Sequence, residues 1–183
     1  MSEELQIFND QVRLYGRHAQ RVYHLTKYIE PQKKTKLFPT NISVYKNAAL
    51  IGFLYGRKAD LNHDKDENGK VYSQNIMDKQ VIDASKELEF NMRMILMLDK
   101  KHEPDPAKRL DKALRNLGKD PEDIELFDQY TRGGIDVMYE KLCADAGSPE
   151  QYMQNVFDFI EDFDELFNEG ISREDVLELS RGE

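Results

Sequence analysis

The sequence predicts an all-α protein, a bundle of about six or seven helices that folds as a single domain over residues 1–183. Three observations lead to this prediction. Capping residues stand directly before prolines at three places, apolar residues recur at helical spacing through the second half, and strand-like alternation is almost absent. The sequence also allows a short extended element near the N-terminus.

The first segment contains apolar residues at alternating spacings of three and four, which predicts one amphipathic helix over residues 5–29. These residues are Leu5, Phe8, Val12, Tyr15, Ala19, Val22, Thr26 and Ile29. Gly16 lies in the middle of this helix, where glycine costs about 1 kcal/mol relative to alanine. An alternative therefore stays open, in which residues 11–15 are extended and the helix begins near Arg17.

A basic loop bracketed by prolines, residues 31–39, precedes the second predicted helix. Asn41 or Ser43 caps this helix, and Gly56 ends it. Because it is apolar on almost every side, we expect it in the middle of the bundle. The small residues that would let a neighbouring helix approach closely are Ala48, Ala49 and Gly52.

Four more helices are predicted in the remainder of the chain, followed by a short one from Ser172. The first runs from about Ile76 to Leu98. The next three begin at prolines that follow the capping residues Asp105, Asp120 and Ser148, and their expected terminal glycines are Gly118, Gly147 and Gly170. Apolar residues expected to face the core include Met77, Leu110, Leu114, Met153, Phe157, Ile160 and Leu166.

Charge is distributed unevenly along the chain. Residues 1–58 carry ten Lys or Arg against four Asp or Glu, whereas residues 121–183 carry four against eighteen. A basic part of this kind attracts phosphate or acidic protein, and an acidic part repels nucleic acid. The two parts could also pair within one molecule or between copies, so we expect a homo-oligomer.

The composition predicts neither a membrane span nor a secreted protein. No stretch approaches about 18 consecutive apolar residues, and the acidic N-terminus lacks the apolar run of a signal peptide. The lone Cys143 can form no internal disulfide, which fits a reducing compartment. We therefore expect a cytoplasmic protein that makes no membrane contact.

One segment matches the first half of a calcium-binding loop. Asp64, Asp66 and Asn68 supply side-chain oxygens at alternate positions, and Gly69 allows the turn that such loops need. The twelfth position should hold a bidentate glutamate, but it is Asn75. We favour a polar loop with an Asn-Gly turn, and the sequence leaves open whether the oxygens bind a metal.

Catalytic patterns are weak. The histidines are His18, His24, His63 and His102, and none forms an HExxH or HxH pair. Cys143 lies in an acidic helix, which disfavours the thiolate. Gly133 and Gly134 follow no predicted strand and indicate a kink or a close helix crossing, and the carboxylates of residues 161–169 are expected on a solvated helix face. The sequence predicts a protein that is not an enzyme and needs no cofactor.

Two segments carry a resemblance to a known group. The pattern VRLYGRHAQRVYHLT, then F-x6-Y-x2-A-A-x2-G-x2-Y-G-R over residues 38–57, resembles small bacterial proteins encoded beside DNA phosphorothioation and related defence systems. ELFDQYTRGGIDVMYEKL, with Phe127, Tyr130, Gly133 and Gly134, is similar to a helix near their C-terminus. Residues 12–58 also look like the small helical DNA-binding subunit of phosphorothioation complexes. The resemblance implies an accessory role and carries no catalytic signature.

The candidate binding residues are the cations of the basic part, with tyrosines among them. They are Arg13, Arg17, Arg21, Lys33, Lys34, Lys36, Arg57 and Lys58. We expect them to contact a protein partner, a second copy or the acidic part of the same chain, in an accessory or regulatory protein of a bacterial DNA-modification or anti-phage defence complex. The alternative is direct DNA binding through this basic face, against which the net charge of −9 counts.

Overall fold

The structure, a computed structural model, describes residues 7–65 and 67–167, and its architecture is mostly helical with two small β-sheets. The helices of these ranges are α1 (Gly16–Thr26), α2 (Asn41–Leu54), α3 (Asp78–Asp83), α4 (Ser85–Leu98), α5 (Pro106–Leu114), α6 (Pro121–Leu142) and α7 (Pro149–Phe167). The strands are β1 (Val12–Tyr15), β2 (Tyr28–Glu30), β3 (Thr35–Lys36) and β4 (Ser73–Ile76). The helical prediction is confirmed, but the protein is not all-α.

The predicted helix over residues 5–29 is wrong over residues 7–15 and after Thr26, since Ile29 belongs to β2, and the extended alternative near the N-terminus is right. Residues 12–15 form β1, which pairs antiparallel with β4 from Val12 opposite Ile76 to Tyr15 opposite Ser73. Gly16 then adopts a φ of +53° and begins α1. A side chain at Gly16 would also collide with Asn62, whose Oδ1 accepts a hydrogen bond of 2.8 Å from the Arg17 amide.

The long helix predicted from Ile76 to Leu98 is also different in the structure. Ile76 ends β4, and the helical part divides at Ala84 into α3 and α4. Met77 is exposed rather than buried because it lies in the turn between β4 and α3. The helical spacing after that turn still identifies core residues, since Val81 and Leu88 are buried.

The centre of the fold is the crossing of α2 and α6, as the small residues of α2 predicted. Ala48 and Ala49 are completely buried. A Cβ added to Gly52 would collide with the carbonyl oxygen of Tyr130, and one added to Gly134 would collide with that of Ala48. The glycines of both helices therefore bring the two backbones into direct contact.

The capping predictions hold at all three prolines. Asp105 accepts hydrogen bonds from the amides of the first turn of α5, and Asp120 accepts one from Glu122. Helix α7 begins at Pro149 as expected, and the Gln151 amide donates to Ser148 Oγ at 3.4 Å. The expected glycine terminators are displaced: α5 ends at Leu114 and α6 at Leu142, several residues before Gly118 and Gly147. Gly170 and the helix from Ser172 lie outside the described residues.

Helices α5 and α7 lie at the periphery, which corrects part of the predicted core. The side chains expected inside but found exposed are Leu110, Leu114, Met153, Phe157, Ile160 and Leu166. Each of the two helices is covered mainly on one side, α5 by α4 and α7 by α6. Helical spacing reports that a helix is amphipathic, but it does not say how wide a face its neighbours will cover. In the described ranges, no helix combines the length and apolarity of a membrane span.

Candidate functional site

The basic row of α1 faces an acidic pair on α6. Arg17 and Arg21 are one turn apart on α1, as Asp136 and Glu140 are on α6. Arg17 Nη2 lies 3.2 Å from Asp136 Oδ2. Arg21 forms an ion pair with the other oxygen of Asp136 and lies 3.6 Å from Glu140 Oε1. Part of the basic N-terminal segment is therefore neutralised by the acidic C-terminal segment of the same molecule.

Asp136 is the centre of this cluster and is buried, as is His18, whose Nε2 lies 3.3 Å from Asp136 Oδ1. Burial alone would raise the pKa of the Asp136 carboxyl. The His18 and Arg21 side chains outweigh burial and hold this pKa below its ordinary value of 3.8. Asp136 is therefore a carboxylate at neutral pH, and it holds three cationic or protonatable side chains around it.

A third helix joins the cluster through Arg57, directly after α2. Its Nη2 donates to Glu140 Oε1 at 3.1 Å. The approach is possible because Gly133 has no side chain: a Cβ there would collide with the Arg57 carbonyl oxygen. We name the set Arg17, His18, Arg21, Arg57, Asp136 and Glu140 the α1–α6 ion cluster. It ties α1, α2 and α6 together.

The structure places Arg13 and Lys58 outside this cluster. Arg13 lies on β1 and donates from Nε to Asn75 Oδ1 at 3.0 Å. Lys58 Nζ lies 3.8 Å from Asp99 Oδ2 and 4.7 Å from the centre of the Tyr130 ring. Tyr130 in turn donates its hydroxyl to Asp99 at 2.7 Å, so Lys58 also has an internal partner.

The three remaining candidates form a separate surface on the β2–β3 hairpin. Lys33 is exposed and lies 3.0 Å from Glu30 within the hairpin. Lys34 occupies the turn with a φ of +56°. Lys36 Nζ lies 4.6 Å from the centre of the Tyr28 ring, which is itself exposed. The eight predicted residues thus do not form one face: five are bonded to other elements of the fold, and three lie on this hairpin.

A cavity of about 210 Å³ lies beside the ion cluster, and the sequence did not indicate it. Its lining includes Arg13 and Tyr15 from β1, His18 from α1, and Glu125, Asp128 and Arg132 from α6. Burial raises the pKa of Asp128 to about 6, although the nearby Arg132 acts in the opposite direction. Arg132 forms an ion pair with Glu125 and donates from Nε to the Ala59 carbonyl at 2.8 Å.

The segment that resembles a calcium loop forms an antiparallel bridge between Lys65 and Val71, with Gly69 at a φ of +76° between them. Asn75, which occupies the place of the closing glutamate, belongs to β4 and bonds Arg13. Across residues 7–65 and 67–167, no three His, Cys, Asp or Glu side chains are grouped so as to hold a metal ion. Cys143 is buried, and burial raises the pKa of its thiol to about 11.

The sequence interpretation missed Asp136 and Asp128 as individual residues. A usable signal existed for Asp136: with Glu140 it forms an i, i+4 acidic pair that matches the i, i+4 spacing of Arg17 and Arg21. Asp128 gave no signal, because its environment depends on β1 and α6 meeting in space.

In comparisons with known proteins, no protein-family model, no curated protein and no solved structure matches this chain.

Proposed function

We propose that this chain is a non-enzymatic accessory or regulatory protein that acts through its helical surfaces. Following the resemblance of its α1–α2 and α6 segments, its partner is a component of a bacterial DNA-modification or anti-phage defence complex. In this proposal, Arg17, Arg21 and Arg57 serve mainly to hold the protein's own acidic half in place.

The observation that supports this proposal most is the α1–α6 ion cluster. Binding of duplex DNA requires Lys and Arg side chains that are free to replace the counterions of the phosphates. Arg17, Arg21 and Arg57 instead pair with Asp136 and Glu140. A DNA strand at this face would have to displace these pairs and would meet the remaining carboxylates.

Direct DNA binding is the second candidate, and one observation favours it. Lys33, Lys34 and Lys36 lie on the β2–β3 hairpin, where Lys36 Nζ is 4.6 Å from the centre of the exposed Tyr28 ring. Cations next to exposed aromatic rings suit phosphate contact together with base stacking. This surface is small, and three lysines support at most weak, salt-sensitive binding.

Co-expression with the proteins encoded beside its gene tests the accessory role. We expect the chain to co-elute with one of them and to change that protein's activity on DNA. Failure to co-elute with any of them would contradict the proposal. Sedimentation of the isolated chain at about 0.05 and about 1 M salt tests whether it forms the expected homo-oligomer.

Fluorescence anisotropy with duplex DNA separates the two candidates. We expect no saturable binding below about 100 µM protein at about 150 mM salt. Saturable binding that is lost when Lys33, Lys34 and Lys36 are changed to Glu would instead support the DNA-binding candidate. Lys79→Glu, Lys86→Glu and Lys100→Glu together, at exposed positions of other elements, provide the charge-matched control.

A further inference from the structure

Helix α7 is held on the fold by an aromatic array along one side. The ring of Phe159 stacks on Tyr55 with centroids 6.3 Å apart, and Phe167 meets the edge of the same ring at 5.6 Å. Phe163 lies between these two phenylalanines, 4.7 Å from Phe167. Lys141 of α6 adds a bond of 2.6 Å to Asp162. This side of α7 is therefore fixed to α2 and α6.

The adjoining side of α7 is apolar and largely uncovered by the other described residues. Phe157 is 58% exposed and Ile160 57% exposed, with the exposed Met153 one turn before Phe157. A groove of about 420 Å³ runs beside them between α7 and Ile51 of α2. Its apolar lining is Ile51, Phe159, Ile160 and Phe163, and Glu161 and Asp164 complete it. We name Met153, Phe157, Ile160 and this groove the α7 face.

The charged side chains of α7 itself are all of one sign. Residues 149–167 contain six Asp or Glu and no Lys or Arg. Residues 168–183 contain five Asp or Glu and two Arg, and residues 1–6 contain two Glu and no base. The net charge of each of these segments has the sign of α7, as would the α7 helix of a second copy, so charge favours none of them as the occupant of the face. Charge complementarity requires a cationic occupant.

We propose that the α7 face binds a cationic amphipathic helix of a partner protein. The apolar side of such a helix would cover Phe157 and Ile160 and fill the groove, while its Lys and Arg side chains would meet Glu161 and the other carboxylates. The proposal deepens the proposed function, on which it rests, because it gives the chemistry of the partner and the surface that receives it.

Two synthetic peptides of about 14 residues with the same leucine pattern test the proposal, one with lysine and the other with glutamate at every polar position. Binding of the fluorescent peptides to the intact chain is followed by anisotropy at about 150 mM salt. We expect the Leu/Lys peptide to bind and the Leu/Glu peptide not to bind. Equal binding of both, or of neither, would overturn the proposal.

Matched variants locate the site. Changing both Phe157 and Ile160 to Ser should weaken binding of the Leu/Lys peptide at least about tenfold. The control changes Phe90 and Leu98 of α4, which are 59% and 54% exposed, to Ser and should leave the affinity unchanged. Glu161→Lys with Asp164→Lys should weaken binding while keeping the apolar surface. Circular dichroism confirms that each variant is folded.

The outcomes separate this proposal from the accessory function itself. If the α4 control weakens binding as much as the α7 variant, the peptide is not specific to the α7 face and the proposal fails. If the isolated chain sediments as an oligomer that the α7 variant dissociates, the occupant is a second copy and the proposal of a cationic partner is wrong. If the chain still co-elutes with a neighbouring gene product after Phe157 and Ile160 are changed to Ser, the accessory function stands, but the α7 face is not the surface that binds the partner.

Discussion

Gly134 of α6 packs directly against the backbone carbonyl of Ala48 in α2, with no room for a Cβ between them. Gly52 makes the reciprocal contact with the carbonyl of Tyr130. The two helices at the centre of the fold, α2 and α6, therefore touch through their backbones at these two glycines.

Gly134→Ala should destabilise the protein by about 3 kcal/mol or more, because the added methyl group would force α2 and α6 apart. The sign of this change in stability is informative, because a Gly to Ala substitution within an unobstructed helix stabilises the protein by about 1 kcal/mol. Urea denaturation measures the change. Gly147→Ala is the control. The atom nearest to the added Cβ would be Gln151 Oε1 at 3.5 Å, so the free energy of unfolding of the protein should change by less than about 0.5 kcal/mol.

Asp136→Asn should cost about 2–4 kcal/mol at pH 7, because it leaves Arg17 and Arg21 beside a neutral amide. The pKa of Asp136 is lowered in the folded state, so its stabilisation is present above pH 3.8 and is lost as the pH falls below that value. Urea midpoints of the two proteins should therefore converge below pH 3.8. A constant difference down to pH 2.5 would show that the charge of Asp136 is not the source of the effect.

Asp128→Asn should have the opposite effect on stability. Because the folded pKa of Asp128 is raised to about 6, its contribution is complete below pH 3.8 and is lost as the pH rises through about 6. The amide removes the penalty of a charge beside the cavity, so the variant should be more stable than the parent by about 1–2 kcal/mol at pH 7.5. The two should be equal near pH 3.5. Thermal melts at both pH values provide the measurement.

Cys143 should react with a disulfide reagent at pH 8 only when the protein unfolds, because its buried thiol has a pKa of about 11. The measurement is the rate of thiolate release in buffer and in urea. Ser73→Cys in a Cys143→Ala background places a thiol at an exposed strand position and should react at once. Rapid labelling of native Cys143 would show that α6 opens at its C-terminal end.

The sequence predicts those parts of the structure that depend on neighbouring residues. Asp105 and Asp120 cap their helices through bonds to amides two or three positions away, so a short motif is sufficient. Strand β1 could not be predicted with the same ease, because its partner β4 lies about sixty residues further along the chain. Its apolar residues also fit the spacing of a helix, and only Gly16 indicated the break.

The candidate site shows the same limit. The sequence identified the cations, but whether Arg17 binds phosphate or Asp136 depends on how α1 and α6 cross. For α7, the pattern gave the right helix and the wrong burial of Phe157 and Ile160, because the width of the covered face is set by the neighbouring helices.

The α1–α6 ion cluster also affects how pieces of this protein would behave. A fragment that ends before α6 would keep Arg17, Arg21 and Arg57 but would lose both carboxylates that neutralise them. Such a fragment would be cationic and would bind polyanions of any kind, including nucleic acid and heparin, with an affinity that falls steeply with salt. DNA binding by a shortened chain would therefore result from the loss of these carboxylates. Only the intact chain shows whether its basic residues bind DNA.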